Sequence, residues 1–258
     1  MPATIAAIAS CLGPAARRFD IDVLESCDST NAVLLARAEA GAPSGTVVIT
    51  REQTAGRGRR GRHWIASPGD SLAFSLLWRF APGTAPAGLS LAVGLAVARA
   101  VATVGADNTA LKWPNDILGN GRKLGGILIE LVPGAPHAAV IGIGLNLQLP
   151  AAMPDDLRAV SAALCKPDAA IDENALYAVL LGELLTVLEA FAASGFAPMR
   201  DEWMARNAYA DASVNLLTDF GAPRGGICRG VDADGALLFE ADGRIERILS
   251  GEVSLRPA

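Results

Sequence analysis

Apolar and polar positions follow two different rhythms along the chain. TVVIT (46–50) and SLAFSLLW (71–78) are apolar or β-branched runs of strand length and predict strands. ALKWPNDILGNGRKLGGILIELV (110–132) predicts strand, turn, strand, with Asn120-Gly121 as a hairpin signal. AAVIGIGLNLQL (138–149) predicts a further strand, and its internal glycines mark close approach of a ligand or another backbone. STNAVLLARAEAG (29–41) has the pattern of a capped helix: Ser29, Thr30 or Asn31 starts it and Gly41 ends it. Helices are also predicted over 86–104, 173–194 and 196–207. The Ala-rich N-terminus has no basic n-region and reads as a lead-in, and 150–172 reads as irregular. REQTAGRGRRGRHWIASPGD (51–70) has no apolar period and reads as a long loop, a feature usually functional inside a compact domain.

From about residue 212 short strands alternate with Gly and Asp turns. The order of elements predicts an α+β protein. A central mixed or antiparallel sheet with helices occupies 1–210, and a small β-barrel-like C-terminal domain occupies 211–258.

Composition narrows this. With 258 residues and 51% hydrophobic content the chain can bury a substantial core. A net charge of −5 argues against a protein that coats nucleic acid or anionic membrane. Four scattered cysteines without C-x-x-C spacing read as free thiols in a reducing cytosol rather than a zinc or disulfide framework. Positive charge is nevertheless concentrated. Only Lys112, Lys123 and Lys166 are lysines, and Arg51, Arg57, Arg59, Arg60 and Arg62 crowd into 12 residues. An acidic chain that gathers cations this way is expected to bind a small anion.

Gly56-Arg57-Gly58-Arg59-Arg60-Gly61 matches G-x-G-x-x-G, but a strand rather than a helix follows, so the dinucleotide-fold reading fails. Arginine forks on a glycine-rich loop suit phosphate or carboxylate, with the glycines letting the backbone approach. Lys123 and Gly125, two apart in a strand, are expected to share a face over a glycine floor, with Asp116 across the turn. His63 and His137 read as incidental loop residues. The chain has no nucleophile elbow, P-loop or H-E-x-x-H, so no metal ligand is named. Arg, Lys, Asp, Asn and Gly remain, a set suited to joining or transferring anionic groups.

Five ordered segments carry a resemblance: Asp28-Ser29-Thr30-Asn31; Gln53 to Arg62 with Trp64; Lys112-Trp113-Pro114-Asn115-Asp116; Gly121 to Glu130; and Gly142-Ile143-Gly144-Leu145-Asn146. Together they resemble biotin–protein ligase, also called biotin–[acetyl-CoA-carboxylase] ligase, from about residue 22 onward. The closing Gly251 to Arg256 is similar to that family's SH3-like C-terminal domain. The resemblance implies a class II synthetase-like, biotin–lipoate ligase catalytic fold. It also implies a monofunctional ligase without an N-terminal DNA-binding domain, since only about 20 residues precede the matched region. Biotin, ATP and Mg²⁺ would react to biotinyl-5′-AMP. The biotinyl group would then pass to a lysine of a biotin carboxyl carrier protein, of acetyl-CoA carboxylase or another biotin-dependent carboxylase. By resemblance, Ser29, Thr30, Asn31, Gln53, Gly56, Arg57, Gly58, Arg59, Lys123 and Gly125 should hold biotin. Arg57, Arg59, Arg60, Trp64, Lys112, Asn115, Lys123 and Asn146 should hold ATP. Lys123, Asp116 and Arg59 should be catalytic, Asp116 accepting a proton from, or orienting, the acceptor lysine, while Gly142 and Gly144 should leave room for ligand. A cytoplasmic protein that contacts neither DNA nor membrane is expected, with a homodimer open. The alternatives are a lipoate or octanoate ligase and a nucleic-acid-binding module using the arginine loop. The shortage of lysine would also leave a reactive acyl-adenylate few amines of the enzyme to label.

Overall fold

A computed structural model describes residues 3–151, 153–165, 171–218, 221–249 and 253–257. Lys166, Gly251 and Glu252 lie outside them. Seven strands, β1 (Asp20–Cys27), β2 (Thr46–Gln53), β3 (Ser71–Arg79), β4 (Thr109–Lys112), β5 (Asp116–Gly119), β6 (Arg122–Val132) and β7 (Ala135–Asn146), form one sheet. Their order is β1-β2-β3-β7-β6-β5-β4; β1 and β2 are parallel and the other neighbours antiparallel, so the sheet is mixed.

The period-two pattern sorts side chains onto two faces. Val47, Ile49, Leu72, Phe74, Leu76, Ile141, Ile143 and Leu145 enter the main core. Helices α3 (Leu89–Ala102) and α5 (Glu173–Ser194) pack there, with α1 (Ile5–Leu12) on α5. Val48, Leu77 and Val140 face the other way, against Leu34 and Ala38 of α2 (Thr30–Glu39). That second face is only partly covered, and the site lies on its open part. The α5 helix is long and apolar enough to cross a membrane by length and composition, but it is the helix on which α1 and α3 pack.

Several elements differ from the sequence pattern. The lead-in contains α1, whose Thr4 Oγ1 accepts the Ala7 N–H, and then β1, where Asp20, Asp22 and Glu25 mask the strand signal. The 110–132 segment holds three strands instead of two. The Trp113–Pro114 peptide, which is cis, sits in a turn between β4 and β5. Pro114 has no N–H to extend a ladder. Asn120 and Gly121 do form the next hairpin turn, with φ of 51° and 76°. The irregular stretch includes α4 (Asp155–Val160), and the second C-terminal helix shrinks to a 3-10 turn at Ala197–Met199 followed by α6 (Arg200–Ala205).

β8 (Ser213–Thr218), β9 (Arg224–Val231), β10 (Leu237–Ala241), β11 (Arg244–Ile248) and β12 (Val253–Pro257) form an antiparallel sheet in the order β11-β10-β9-β8-β12, consistent with an SH3-like domain. Its core residues Val214, Leu216, Phe239 and Leu255 are continuous with the main core. Trp113, 1% exposed, ties the two parts by donating its indole N–H to the Gly235 carbonyl at 3.1 Å.

Candidate functional site

A cavity of about 570 Å³ lies between the glycine–arginine loop, the α2 N-terminus, the β4–β6 hairpins, α4 and β12. It has the size of a small-molecule site. Seven basic side chains line it: Arg57, Arg59, Arg60, Arg62, Arg256, Lys112 and Lys123; the single acid among the lining residues is Asp116.

The neutral floor forms where α2 meets the sheet. Ser29 occupies the N-cap position, yet no cap hydrogen bond forms to its side chain, and Thr30 and Asn31 turn inward, each under 5% exposed. The Thr30 N–H donates to Gln53 Oε1 at 2.9 Å. Ser75, fully buried on β3, lies 2.7 Å from the Thr30 hydroxyl and donates to Asn31 Oδ1 at 2.6 Å. The Asn31 amide donates to Glu130 Oε2 at 2.7 Å and to the Leu128 carbonyl. The same Glu130 oxygen accepts from Arg57 at 3.1 Å. A polar chain thus links the floor to the loop above it.

Gly142 and Gly144 of β7 make room for protein groups. A Cβ on Gly144 would lie 2.4 Å from the Trp64 ring, so the indole seats on the bare strand. The Trp64 indole nitrogen is buried without a hydrogen-bond partner among the described residues. The loop doubles back on itself: Gly58 N–H donates to the Arg62 carbonyl at 2.7 Å and Trp64 N–H to Gly56 at 2.9 Å, around a short 3-10 turn at Arg59–Gly61.

On the hairpin side, Lys123 Nζ lies 2.6 Å from Asp116 Oδ1, and Lys112 Nζ lies 2.9 Å from Oδ2. Burial alone would raise the Asp116 pKa; the charges and hydrogen bonds of Lys123 and Lys112 override it and hold it at about 2. Burial lowers the Lys112 pKa, opposed by Asp116. Burial likewise lowers that of Arg59, whose guanidinium donates to Asn115 Oδ1 at 3.2 Å. Asn115 Nδ2 is spent on the Ile127 carbonyl, and Asn146 Nδ2 on the Ala162 carbonyl.

Of the residues given binding or catalytic roles by the resemblance, all but Gly56 and Gly125 line this cavity. A Cβ on Gly56 would meet the Trp64 carbonyl at 2.3 Å, which makes Gly56 a hinge of the loop. Gly125 faces Leu145 and the core, because a bulge in β6 opposite Ile117 and Leu118 breaks the alternation. Lys123 therefore shares its face with Gly126, whose Cβ would lie 3.3 Å from Nζ. His63 lines the cavity mouth instead of standing apart. Sequence reasoning missed Ser75, Tyr209 and Arg256. A serine inside the apolar run SLAFSLLW was the available signal for Ser75, and Arg256 stood in the closing motif without an assigned role.

The mixed sheet, the appended β-barrel-like unit and a cation-lined cavity over a neutral hydrogen-bonding floor define a small-molecule-binding protein for anionic ligands. Residues 23–146 match the family model described as Biotin/lipoate A/B protein ligase family, and 213–256 match the biotin protein ligase C terminal domain. The chain is 39% identical over 241 residues to the bifunctional ligase/repressor BirA of Escherichia coli (strain K12), covering 92% of this chain and 74% of that protein. It is 38% identical over 244 residues to the biotin--[acetyl-CoA-carboxylase] ligase of Paracoccus denitrificans, covering 90% and 98%. The structure is similar to that of the Aquifex aeolicus biotin protein ligase in complex with biotin and ATP, with TM-score 0.81, 28% identity, and coverage of 93% and 99%. The chain belongs to the biotin/lipoate A/B protein ligase family.

Proposed function

We propose that this chain joins biotin to ATP and passes the biotinyl group to a lysine of a biotin-carrier protein. In the first step the biotin carboxylate attacks the α-phosphorus of ATP, giving biotinyl-5′-AMP and pyrophosphate. In the second, the carrier amine attacks the acyl carbon and AMP leaves. The observation that carries the reading is the pairing of seven cations with a neutral floor in one cavity. Two anions must meet in the first step, and fixed cations lower that barrier. The floor of Ser29, Thr30, Asn31 and Gln53, backed by the buried Ser75, offers hydrogen-bonding groups to a ureido ring, which a dithiolane ring could not use. This favours biotin over lipoate.

In this reading Ser29, Thr30, Asn31, Gln53 and Gly58 hold the ring and chain. Arg57, Arg59 and Arg60 close over the carboxylate and phosphates, and Lys123 bridges the reacting groups. The buried Trp64 N–H, without a hydrogen-bond partner among the described residues, supports a place for Trp64 near adenine. Among the described residues no three acidic, His or Cys groups converge on a metal position, and Asp116 is committed to two lysines. Mg²⁺ would thus enter on the phosphates of ATP, with no protein carboxylate cage. The carrier is expected to belong to acetyl-CoA carboxylase or another biotin-dependent carboxylase. Division of the chain at 210/211 is supported by the separate family matches. A cytosolic setting is supported by the four cysteines, all free. A homodimer is expected to pair along β1, one of the two outer strands of the sheet.

Incubation with biotin, ATP, Mg²⁺ and a biotin carboxyl-carrier domain should add one biotinyl mass to one acceptor lysine. Absence of transfer by a folded sample, or preference for lipoate in competition, overturns the reading.

A further inference from the structure

Resting on the proposed acyl transfer, we propose that Asp116 is the residue that keeps this enzyme from acylating itself. By pairing one carboxylate oxygen with each cavity lysine, it denies the acyl-adenylate its nearest nucleophile.

The hazard follows from the geometry. The acceptor on the carrier is a primary amine, and Lys123 places another beside the reacting carboxylate. An ordinary lysine, with a pKa of about 10.4, is neutral in roughly one molecule per thousand at pH 7.4. Well-oriented groups inside one site react with effective molarities of about 10⁵ M or more. The product is on the order of 100 M of competing amine, so an ordinary lysine would not be safe there.

The surroundings make matters worse without Asp116. The other titratable groups lining the cavity are Arg57, Arg59, Arg60, Arg62 and His63 of the loop, Lys112 of β4, Tyr209 after α6 and Arg256 of β12. Cationic neighbours favour the neutral amine. The carboxylate of Asp116 is the single opposing charge in the lining, and each of its oxygens meets one lysine, at 2.6 and 2.9 Å. The Asp116 side chain is 16% exposed and that of Lys112 7%, so water cannot easily replace that contact, while Lys123, 36% exposed, reaches from Asp116 into the cavity. The remaining fixed cations are arginines, which stay protonated and do not act as amines. With both oxygens occupied, Asp116 is also poorly placed to take a proton from an acceptor lysine, the role suggested by resemblance.

The suppressed step is simple. Neutral Lys123 Nζ attacks the acyl carbon and an amide C–N bond forms. The acyl C–O bond to AMP breaks with its electron pair on the phosphate oxygen, and the surplus amine proton goes to water.

The test uses full-length wild type, Asp116→Asn and Asp116→Asn/Lys123→Arg, each given synthetic biotinyl-5′-AMP without ATP or carrier. Binding of the adenylate is checked by thermal shift, and Lys112 and Lys123 are read by peptide mass spectrometry. Wild type should stay unmodified at both. Asp116→Asn should gain biotin on Lys123 at least tenfold above wild type, and the double variant should lose it at that position. A folded, adenylate-binding Asp116→Asn no more modified than wild type overturns the inference. If Asp116→Asn does not fold, wild type at pH 9.5 carries the test beside a free lysine peptide. The peptide should be labelled and Lys123 spared; labelling of Lys123 to the same extent overturns the inference. Because the adenylate is supplied, a failure to activate biotin faults the proposed function without touching this result.

Discussion

Asn31 fills the space that a side chain on Gly142 would need: a Cβ there would stand 2.2 Å from Asn31 Oδ1. The glycine therefore serves the amide, and only through it the ligand. Gly142→Ala should push Asn31 off Ser75 and Glu130. We expect biotin affinity to fall at least tenfold, with a stability cost of about 1–3 kcal/mol from overpacking. Calorimetric titration with biotin alone, beside a thermal melt, reads both; unchanged affinity would show that Asn31 does not set the ring site.

Glu130 holds the floor and the loop on one oxygen. Glu130→Gln keeps the size and an acceptor for Asn31 but loses the charge facing Arg57. Biotin binding should weaken about five- to tenfold while the melting temperature stays within a few degrees. A double-mutant cycle with Arg57→Ala should show that the two effects are not additive. Simple additivity would mean that the shared oxygen carries no coupling.

Lys123→Ala removes a cation that acts mainly as the two anions meet. Biotin-dependent pyrophosphate release should drop by about a thousandfold, with the protein folded. Near-normal turnover would remove Lys123 from the reaction.

Arg59 spans the cavity to Asn115. Arg59→Gly should loosen the loop and raise the dissociation rate of biotinyl-AMP at least tenfold, visible as biotin appearing on bystander proteins. An unchanged off-rate would mean that the loop is no lid.

Acid stability tests the Asp116 cluster without any substrate. The folded pKa of Asp116 is about 2, below its ordinary 3.8. Its stabilising contribution is thus complete above about pH 4 and lost as pH falls towards 2, amounting to about 2 kcal/mol. Urea midpoints from pH 5 to pH 2 should fall more steeply for wild type than for Asp116→Asn. Parallel curves would contradict the depressed pKa.

Much of this was legible in the residues. The glycine–arginine loop, the Asn120-Gly121 turn and α5 could be read because each depends on local chemistry: positive φ, charge and apolar period. What stayed hidden depended on partners far along the chain. The bulge that turns Lys123 toward Gly126 rather than Gly125 is set by pairing with β5, and no two-residue rule can see it. β1 escaped because its acidic residues break the apolar run. Ser75 and Arg256 acquire meaning only when α2 and β12 close over the sheet.

The walls of the cavity run from Ser29 to Pro257 and include strands of both sheets. Assembly of the pocket is consequently among the most non-local events in folding this chain, slower than the hairpins that supply its parts. A chain with its second sheet still unfolded would lack Arg256 and Val253 from the wall and so hold a reactive mixed anhydride poorly. Retention of the adenylate is thereby tied to completion of the whole fold, and an enzyme with its second sheet unfolded should leak biotin onto bystander amines.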